Sequence, residues 1–187
     1  MKDERKTPKV YHSADLVWPV AHEVRLALGP KVKRIQIAGS LRRACDKVAD
    51  VDLVAVPKEA REITLQAFCS LCETIVRRGN YVATGLIGGI QVDLWLVEPD
   101  QFGAAVMFAT GPAELNILQR QHAIRMGLKL SQYGLFTRDG TDLSVRGEKR
   151  IYRKLGLKYL KPQEREAYRN GGKYHLPKLG EEHVRRS

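Results

Sequence analysis

Two aspartates stand one residue apart in Asp50-Val51-Asp52. On a strand, residues two apart face the same side, so both carboxylates project together while Val51 points into the core. Like charges so close repel, and a divalent cation bound between them relieves the repulsion. A third carboxylate, Asp93, sits in the otherwise apolar run Gln91-Val92-Asp93-Leu94-Trp95. If that run lies beside the first, three acids converge, a set suited to two Mg²⁺ ions roughly 3.5–4 Å apart in phosphoryl transfer. An isolated Asp-x-Asp pair reads more simply as the wet face of an edge strand, but the segment just upstream changes the balance. Gly39-Ser40-Leu41-Arg42-Arg43 follows a strand by a tight turn. Glycine lets the backbone approach a phosphate, a hydroxyl and backbone amides can hold its oxygens, and Arg43 can pair with it in two-pronged fashion.

These residues need a scaffold. Ala14 to Leu28 has helical spacing and stops at Gly29-Pro30. Val32 to Ala38 alternates as a strand, and Val51 to Val56 is a second, stopped by Pro57. Lys58 to Arg78 carries Ile63, Leu65, Ala67, Phe68, Leu71, Cys72, Ile75 and Val76 at helical spacing, which predicts one long helix ended by Gly79-Asn80. Tyr81 to Thr84, Ile90 to Val97 and Ala104 to Ala109 read as further strands. Thr110-Gly111-Pro112 is a breaker, and Pro112 to Met126 reads as a helix. Leu128 to Phe136 and Thr141 to Val145 read as short strands, and Gly147 to Leu155 as a short basic helix. From Lys161 the chain is polar, carries Gly171-Gly172 and is expected to be partly disordered. The expected class is α+β: a mixed sheet with helices on one face over residues 1–106, then a small α/β domain over 107–187.

The chain has 187 residues, 43% of them hydrophobic, enough for a packed core. Its 32 Lys and Arg against 21 Asp and Glu leave a net charge of +11, which favours a polyanionic partner, nucleic acid first. No stretch approaches the ~20 apolar residues that span a bilayer. Met1 to Lys9 is charged and lacks the apolar core of a secretion signal, so an intracellular, soluble protein of cytoplasm or nucleoid is expected. Cys45, Cys69 and Cys72 are odd in number and make no disulfide framework. Cys69 and Cys72 read as buried core residues rather than zinc or redox ligands, since no second pair follows.

Gly39-Ser40-x-Arg42-Arg43, then Asp50-Val51-Asp52, then Asp93 together resemble the palm of family X DNA polymerases. Phe108-Ala109-Thr110-Gly111 is similar to that family's Tyr-Phe-Thr-Gly motif before the nucleotide-binding helix, and Asn116 and Arg120 follow at the family's spacing. Gln132 to Phe136 and Leu157 to Pro162 also fit. The resemblance covers roughly residues 33 to 165 and is nearest to the smallest viral members, which keep only a nucleotidyltransferase-type palm and a C-terminal domain. It implies that Asp50 and Asp52 bridge two Mg²⁺ ions (Mn²⁺ being the alternative) and that Asp93 binds the catalytic metal. It also implies that Gly39, Ser40 and Arg43 hold the triphosphate, that Phe108, Ala109, Thr110 and Gly111 lie against the sugar, that Asn116 touches the base and that Arg120 touches the template strand. Phe108 stands where the family usually has Tyr, Ala109 replaces its second aromatic, Ala113 replaces a common Asp, and Gln91 stands where larger members have Arg. The deoxyribose-phosphate lyase activity of repair members is not expected.

The implied partners are primer–template or gapped DNA and deoxynucleoside triphosphates, with no membrane and a monomeric chain. Lys31, Lys33 and Arg34 near the palm, and Arg125, Lys129, Arg146, Lys149, Arg150, Arg153 and Lys154 beyond it, read as phosphate contacts that position a duplex without reading its sequence. The expected function is template-directed addition of deoxynucleotides to a primer 3′-OH, filling short gaps in DNA repair. Two alternatives stand beside it: a template-independent nucleotidyltransferase acting on nucleic-acid ends or a small acceptor, and a non-catalytic nucleic-acid binding module.

Overall fold

The computed structural model describes residues 9–143 and 147–180. Arg146, most of Met1 to Lys9 and the end of the strand expected over Thr141–Val145 lie outside them.

A short strand β1 (His12–Ser13) leads into helix α1 (Ala14–Leu28), whose Val17, Ala21, Val24 and Leu28 form one buried stripe. A 3₁₀ turn at Gly29–Lys31 delivers strand β2 (Val32–Ile37), followed by the one-turn helix α2 (Gly39–Arg42). Strand β3 (Lys47–Val48) pairs antiparallel with β1 and so ties the N-terminal segment down beside the next strand, β4 (Asp50–Pro57). Helix α3 (Arg61–Cys69) is followed by strands β5 (Thr74–Arg78), β6 (Val82–Ile87) and β7 (Ile90–Leu96). Among the described residues the central sheet has five strands in the order β2-β4-β7-β6-β5, with β4 and β7 parallel and the other pairs antiparallel.

The single long helix expected over Lys58–Arg78 does not form. It ends at Cys69, and Thr74–Arg78 is instead the sheet's edge strand. The β-branched run Thr74-Ile75-Val76 favours extended backbone, and pairing with β6 satisfies that strand's open edge. Cys69 and Cys72 lie half-buried at the switch from helix to strand rather than in a helix interior. Gly85 of β6 has no side chain because Cys72 Sγ packs where its Cβ would be.

Helix α4 (Phe102–Thr110) replaces the strand expected over Ala104–Ala109. Its run is apolar on every side because both sides are covered, and such a run carries no period that separates helix from strand. Phe102, Ala105 and Val106 pack on Val54 and Val56 of β4, while Ala104 and Met107 enter a second core. Residue 106, the expected domain boundary, therefore lies inside this shared helix. Helix α5 (Ala113–Arg125), the hairpin β8 (Leu128–Ser131) and β9 (Gly134–Thr137), and helix α6 (Glu148–Lys154) complete the second core.

The tail expected to be partly disordered from Lys161 is folded over its described part. Pro162–Gly171 forms a 3₁₀ segment in which Arg165 is fully buried and Tyr168 nearly so, the latter donating its hydroxyl to the His175 carbonyl at 3.0 Å. No helix among the described residues is long and apolar enough to cross a membrane.

Candidate active site

Alternation in β4 divides its side chains cleanly. Val51, Leu53 and Ala55 enter the core beneath α1 and α3, whereas Val54 and Val56 point to the α4 side, as do the even-numbered Asp50 and Asp52. Strand β7 repeats the division: Val92, Leu94 and Leu96 go inward, and Gln91, Asp93 and Trp95 share the face of the acids. The parallel register places Asp52 directly opposite Asp93 and Asp50 opposite Gln91. The three carboxylates expected to converge thus line one wall, at the floor of a cleft of about 630 Å³.

Helix α2 forms the adjoining wall. The Ala38 amide donates to the Asp52 carbonyl at 2.8 Å, fixing the turn to the acid strand. Gly39 has φ +62°, and a side chain there would collide with Asp52 Oδ2, so this position requires glycine twice over. Ser40 and Arg43 also line the cleft. On the far side it is closed by Phe108, Ala109, Gly111 and Asn116, whose amide donates to the Phe108 carbonyl at 2.8 Å.

The acid wall is electrostatically strained. Burial, then the charges of Asp50 and Asp93, push the Asp52 carboxyl up to about 7. Lys9 reaches over from the N-terminal segment and places its ammonium 2.7 Å from Asp50 Oδ2. Asp93 accepts from the Thr84 hydroxyl and, at 3.1 Å, from the Gln91 amide. Among the described residues no three carboxylates, imidazoles or thiols are disposed to hold a metal ion as they stand. Asp50 Oδ2 and both oxygens of Asp93 are turned to Lys9, Thr84 and Gln91. The donor set is nonetheless the oxygen-only kind that hard divalent cations take, and the crowded negative charge, with an ammonium drawn onto it, suits a cation. Asp50, Asp52 and Asp93 are the residues here that could hold one.

Other expected site residues lie elsewhere. Thr110 is fully buried and absent from the cleft lining. Its hydroxyl donates to the Val106 carbonyl at 2.6 Å and accepts from Arg42. Arg43 faces the cleft but is already engaged, its Nε 2.6 Å from Glu166 Oε2 and its Nη1 on the Thr110 carbonyl. Arg120 is exposed beside Asn116 on one face of α5, bordering a shallow depression with it. Lys31, Lys33, Arg125 and Lys129 are exposed and outside the cleft.

The sequence reading missed the residues that lock α2 to the second core. Arg42 grips Glu148 through both prongs, at 2.9 and 2.6 Å, and fully buried Arg165 reaches the same carboxylate at 2.9 Å. It also missed Lys9, Tyr11, Lys47, Trp95, Arg169 and Asn170 in the cleft lining. Glu148 and Glu166 lie over a hundred residues from Arg42 and Arg43, so these pairings leave no local signal.

The second core also has a likeness among known families. The sequence model described as DNA polymerase beta thumb matches residues 105–166. The chain is 30% identical over 137 residues to the DNA polymerase/3′-5′ exonuclease PolX of Bacillus subtilis, covering 70% of this chain and 24% of that protein. It is 29% identical over 142 residues to the repair DNA polymerase X of African swine fever virus, covering 71% of this chain and 82% of that one. The chain belongs to family X of the DNA polymerases. The thumb match starts inside α4 and stops at Glu166, so it takes in the helix shared by both cores but not Arg169 or Asn170. DNA polymerase IV of Saccharomyces cerevisiae is 37% identical over 75 residues, 40% of this chain. The chain spans about a quarter of the Bacillus relative and 13% of the yeast one.

Proposed function

We propose that the protein is a template-directed DNA polymerase that adds deoxynucleotides to a primer 3′-OH and fills short gaps in DNA repair. The observation carrying this reading is the in-register pair Asp52 and Asp93, with Asp50 beside them, against the Gly39-Ser40 turn. Relatives named as a repair DNA polymerase and as PolX support the same substrate class.

In this reading two divalent cations, when bound, lower the pKa of the primer hydroxyl and neutralise the triphosphate. Asp50, Asp52 and Asp93 would hold them. The Gly39-Ser40 turn and Arg43 orient the triphosphate for in-line attack, and positioning of this kind supplies most of the catalysis in phosphoryl transfer. Phe108, tilted against Trp95 with ring centres 6.1 Å apart, and Ala109 form the sugar wall. Asn116 and Arg120, one helical turn apart, face the nascent base pair and the template. Thr110 acts through Arg42 and Arg43 rather than by touching nucleotide. The two domains proposed over 1–106 and 107–187 meet along α4, and the DNA duplex lies across the exposed basic residues of both.

Primer extension with Mg²⁺, offering each deoxynucleotide against each template base, tests the reading. Matched-only addition that disappears in Asp52→Ala is the expected result. Equal addition to an unpaired single strand would replace it with the template-independent transferase. DNA binding without any addition would leave a binding module.

A further inference from the structure

Beyond the thumb match, the chain continues into the cleft. The 3₁₀ segment Pro162–Gly171 breaks its helical path at Arg169, which is extended (φ −74°, ψ 151°), and at Asn170, which is left-handed (φ 52°, ψ 42°). Asparagine is among the few residues that tolerate that conformation. The Asn170 amide is held by Glu114 Oε1 at the start of α5, 3.2 Å away. The break puts Arg169 and Asn170 into the cleft lining with Arg43, Gly39, Ser40 and Lys47.

Arg169 and Arg43 are a pair. Arg169 Nη1 lies 3.0 Å from Glu166 Oε1 and Arg43 Nε lies 2.6 Å from Glu166 Oε2, so a single carboxylate ties both guanidiniums together. Glu166 does not line the cleft, whereas both arginines do. It therefore stands behind them. Glu166 alone cannot neutralise both guanidiniums; in the cleft lining Lys47 adds to the surplus and Glu114, which holds the Asn170 amide, subtracts from it. The cleft is polarised, with three acids on one wall and two tethered guanidiniums on its rim. A metal-bound polyphosphate has the complementary polarity, cation at one end and free oxygens at the other. Guanidiniums present planar forks that match phosphate oxygens, and these are held in place beforehand.

We propose that Arg169 is a second guanidinium contact for the polyphosphate of the incoming nucleotide, working beside Arg43 and positioned by Glu166. The inference rests on the polymerase reading for the identity of the nucleotide, but the anion contact is testable without it.

Calorimetric titration of the full chain with inorganic tripolyphosphate in Mg²⁺ buffer reads the contact directly. Arg169→Gln keeps a hydrogen-bond donor for Glu166 and loses the charge. It is expected to weaken tripolyphosphate binding about tenfold, the lower end of what a charge-assisted contact gives. Arg169→Lys should recover part of the loss. In primer extension the KM for deoxynucleotide should rise about tenfold with kcat nearly unchanged, the pattern of a contact made equally in ground and transition states. The thermal midpoint of each variant shows that it is folded. Binding by folded Arg169→Gln within twofold of the unaltered chain overturns the proposal. So does a loss of duplex DNA binding with tripolyphosphate binding unchanged, which would move Arg169 to the DNA backbone. If the unaltered chain fails to extend a primer, the polymerase reading falls while the titration still decides the anion site.

Discussion

The molecule contains two clusters of partly buried charge, and they are built on opposite terms. On the sheet, Asp50, Asp52 and Asp93 set three carboxylates against one nearby ammonium, that of Lys9. Between α2, α6 and the tail, Glu148 sits between two guanidiniums, those of Arg42 and Arg165, with every carboxylate oxygen engaged. The carboxyl groups respond in opposite directions. Burial followed by like charge pushes Asp52 up to about 7. Burial works on Glu148 too, but the hydrogen bonds and charges of the two arginines outweigh it and hold the group below the usual carboxylate range. The first cluster is left in want of a cation. In the second both Glu148 oxygens are taken, although Arg165 Nη1 stays buried without a hydrogen-bond partner, and the cluster holds the Gly39-Ser40 turn against the second core. Strain gathers on the wall of the cleft, and the better-paired charges gather where two parts of the fold meet.

The sharpest way to break this contrast is Asp52→Asn. Removing the charge should lower primer extension by about a thousandfold or more, on the scale of losing a principal electrostatic group at a reaction centre. The same change should raise the thermal midpoint by several degrees without divalent ions, because it relieves repulsion. A lower midpoint would show that the acid wall is structurally satisfied as it stands, and the contrast would dissolve.

The acid wall was the part most legible in the sequence. Period-two alternation in Asp50-Val51-Asp52 and around Asp93 fixes the face of each side chain, and the structure adds only the parallel pairing that puts Asp52 opposite Asp93. The satisfied cluster was illegible, because Glu148 and Arg42 lie far apart in sequence and meet only when the chain is folded. The misread elements share one physical cause. Thr74–Arg78, Ala104–Ala109 and the tail from Lys161 each take their structure from what covers them. Pairing with β6 makes the first a strand, cores on both sides let the second be a helix, and buried partners for Arg165 order a segment whose composition is polar.

Glu148→Ala comes next in size. It leaves the guanidiniums of Arg42 and Arg165 buried without their shared partner, and breaking a buried pair in this way costs about 3–5 kcal/mol. Denaturant unfolding should show that loss, and activity should fall with stability rather than through KM alone. A cost below about 1 kcal/mol would place this cluster with surface ion pairs.

The two clusters should also part company in their pH dependence. Glu148 has a folded-state pKa below its unfolded one, so its contribution is present above the unfolded value of about 4 and fades as pH falls through the folded value. Asp52 has a raised folded-state pKa, so without divalent ions its contribution is complete below the unfolded value and is lost as pH rises through about 7. Thermal midpoints measured from acid to neutral pH should therefore fall on both flanks. Asp52→Asn should flatten only the neutral flank, and Glu148→Gln only the acid one. A neutral flank that persists in Asp52→Asn would assign it to another group.

The smallest expected effect is that of Arg42→Lys, and it separates charge from geometry. Lysine keeps the positive charge beside Glu148 but cannot bond both carboxylate oxygens and the Thr110 hydroxyl from one planar group, as Arg42 does. If the cluster works by charge balance alone, stability should be unchanged. If it works as a geometric clamp, the loss should be about 1–2 kcal/mol, the worth of a charge-assisted hydrogen bond in a partly buried place. We expect the clamp. Helix α2 is a single turn and has little stability of its own, so the angle at which Gly39 and Ser40 meet the acid wall depends on what holds Arg42 at the turn's other end. Arg42→Lys should accordingly raise the KM for nucleotide a few-fold while leaving the acid-wall pH dependence untouched.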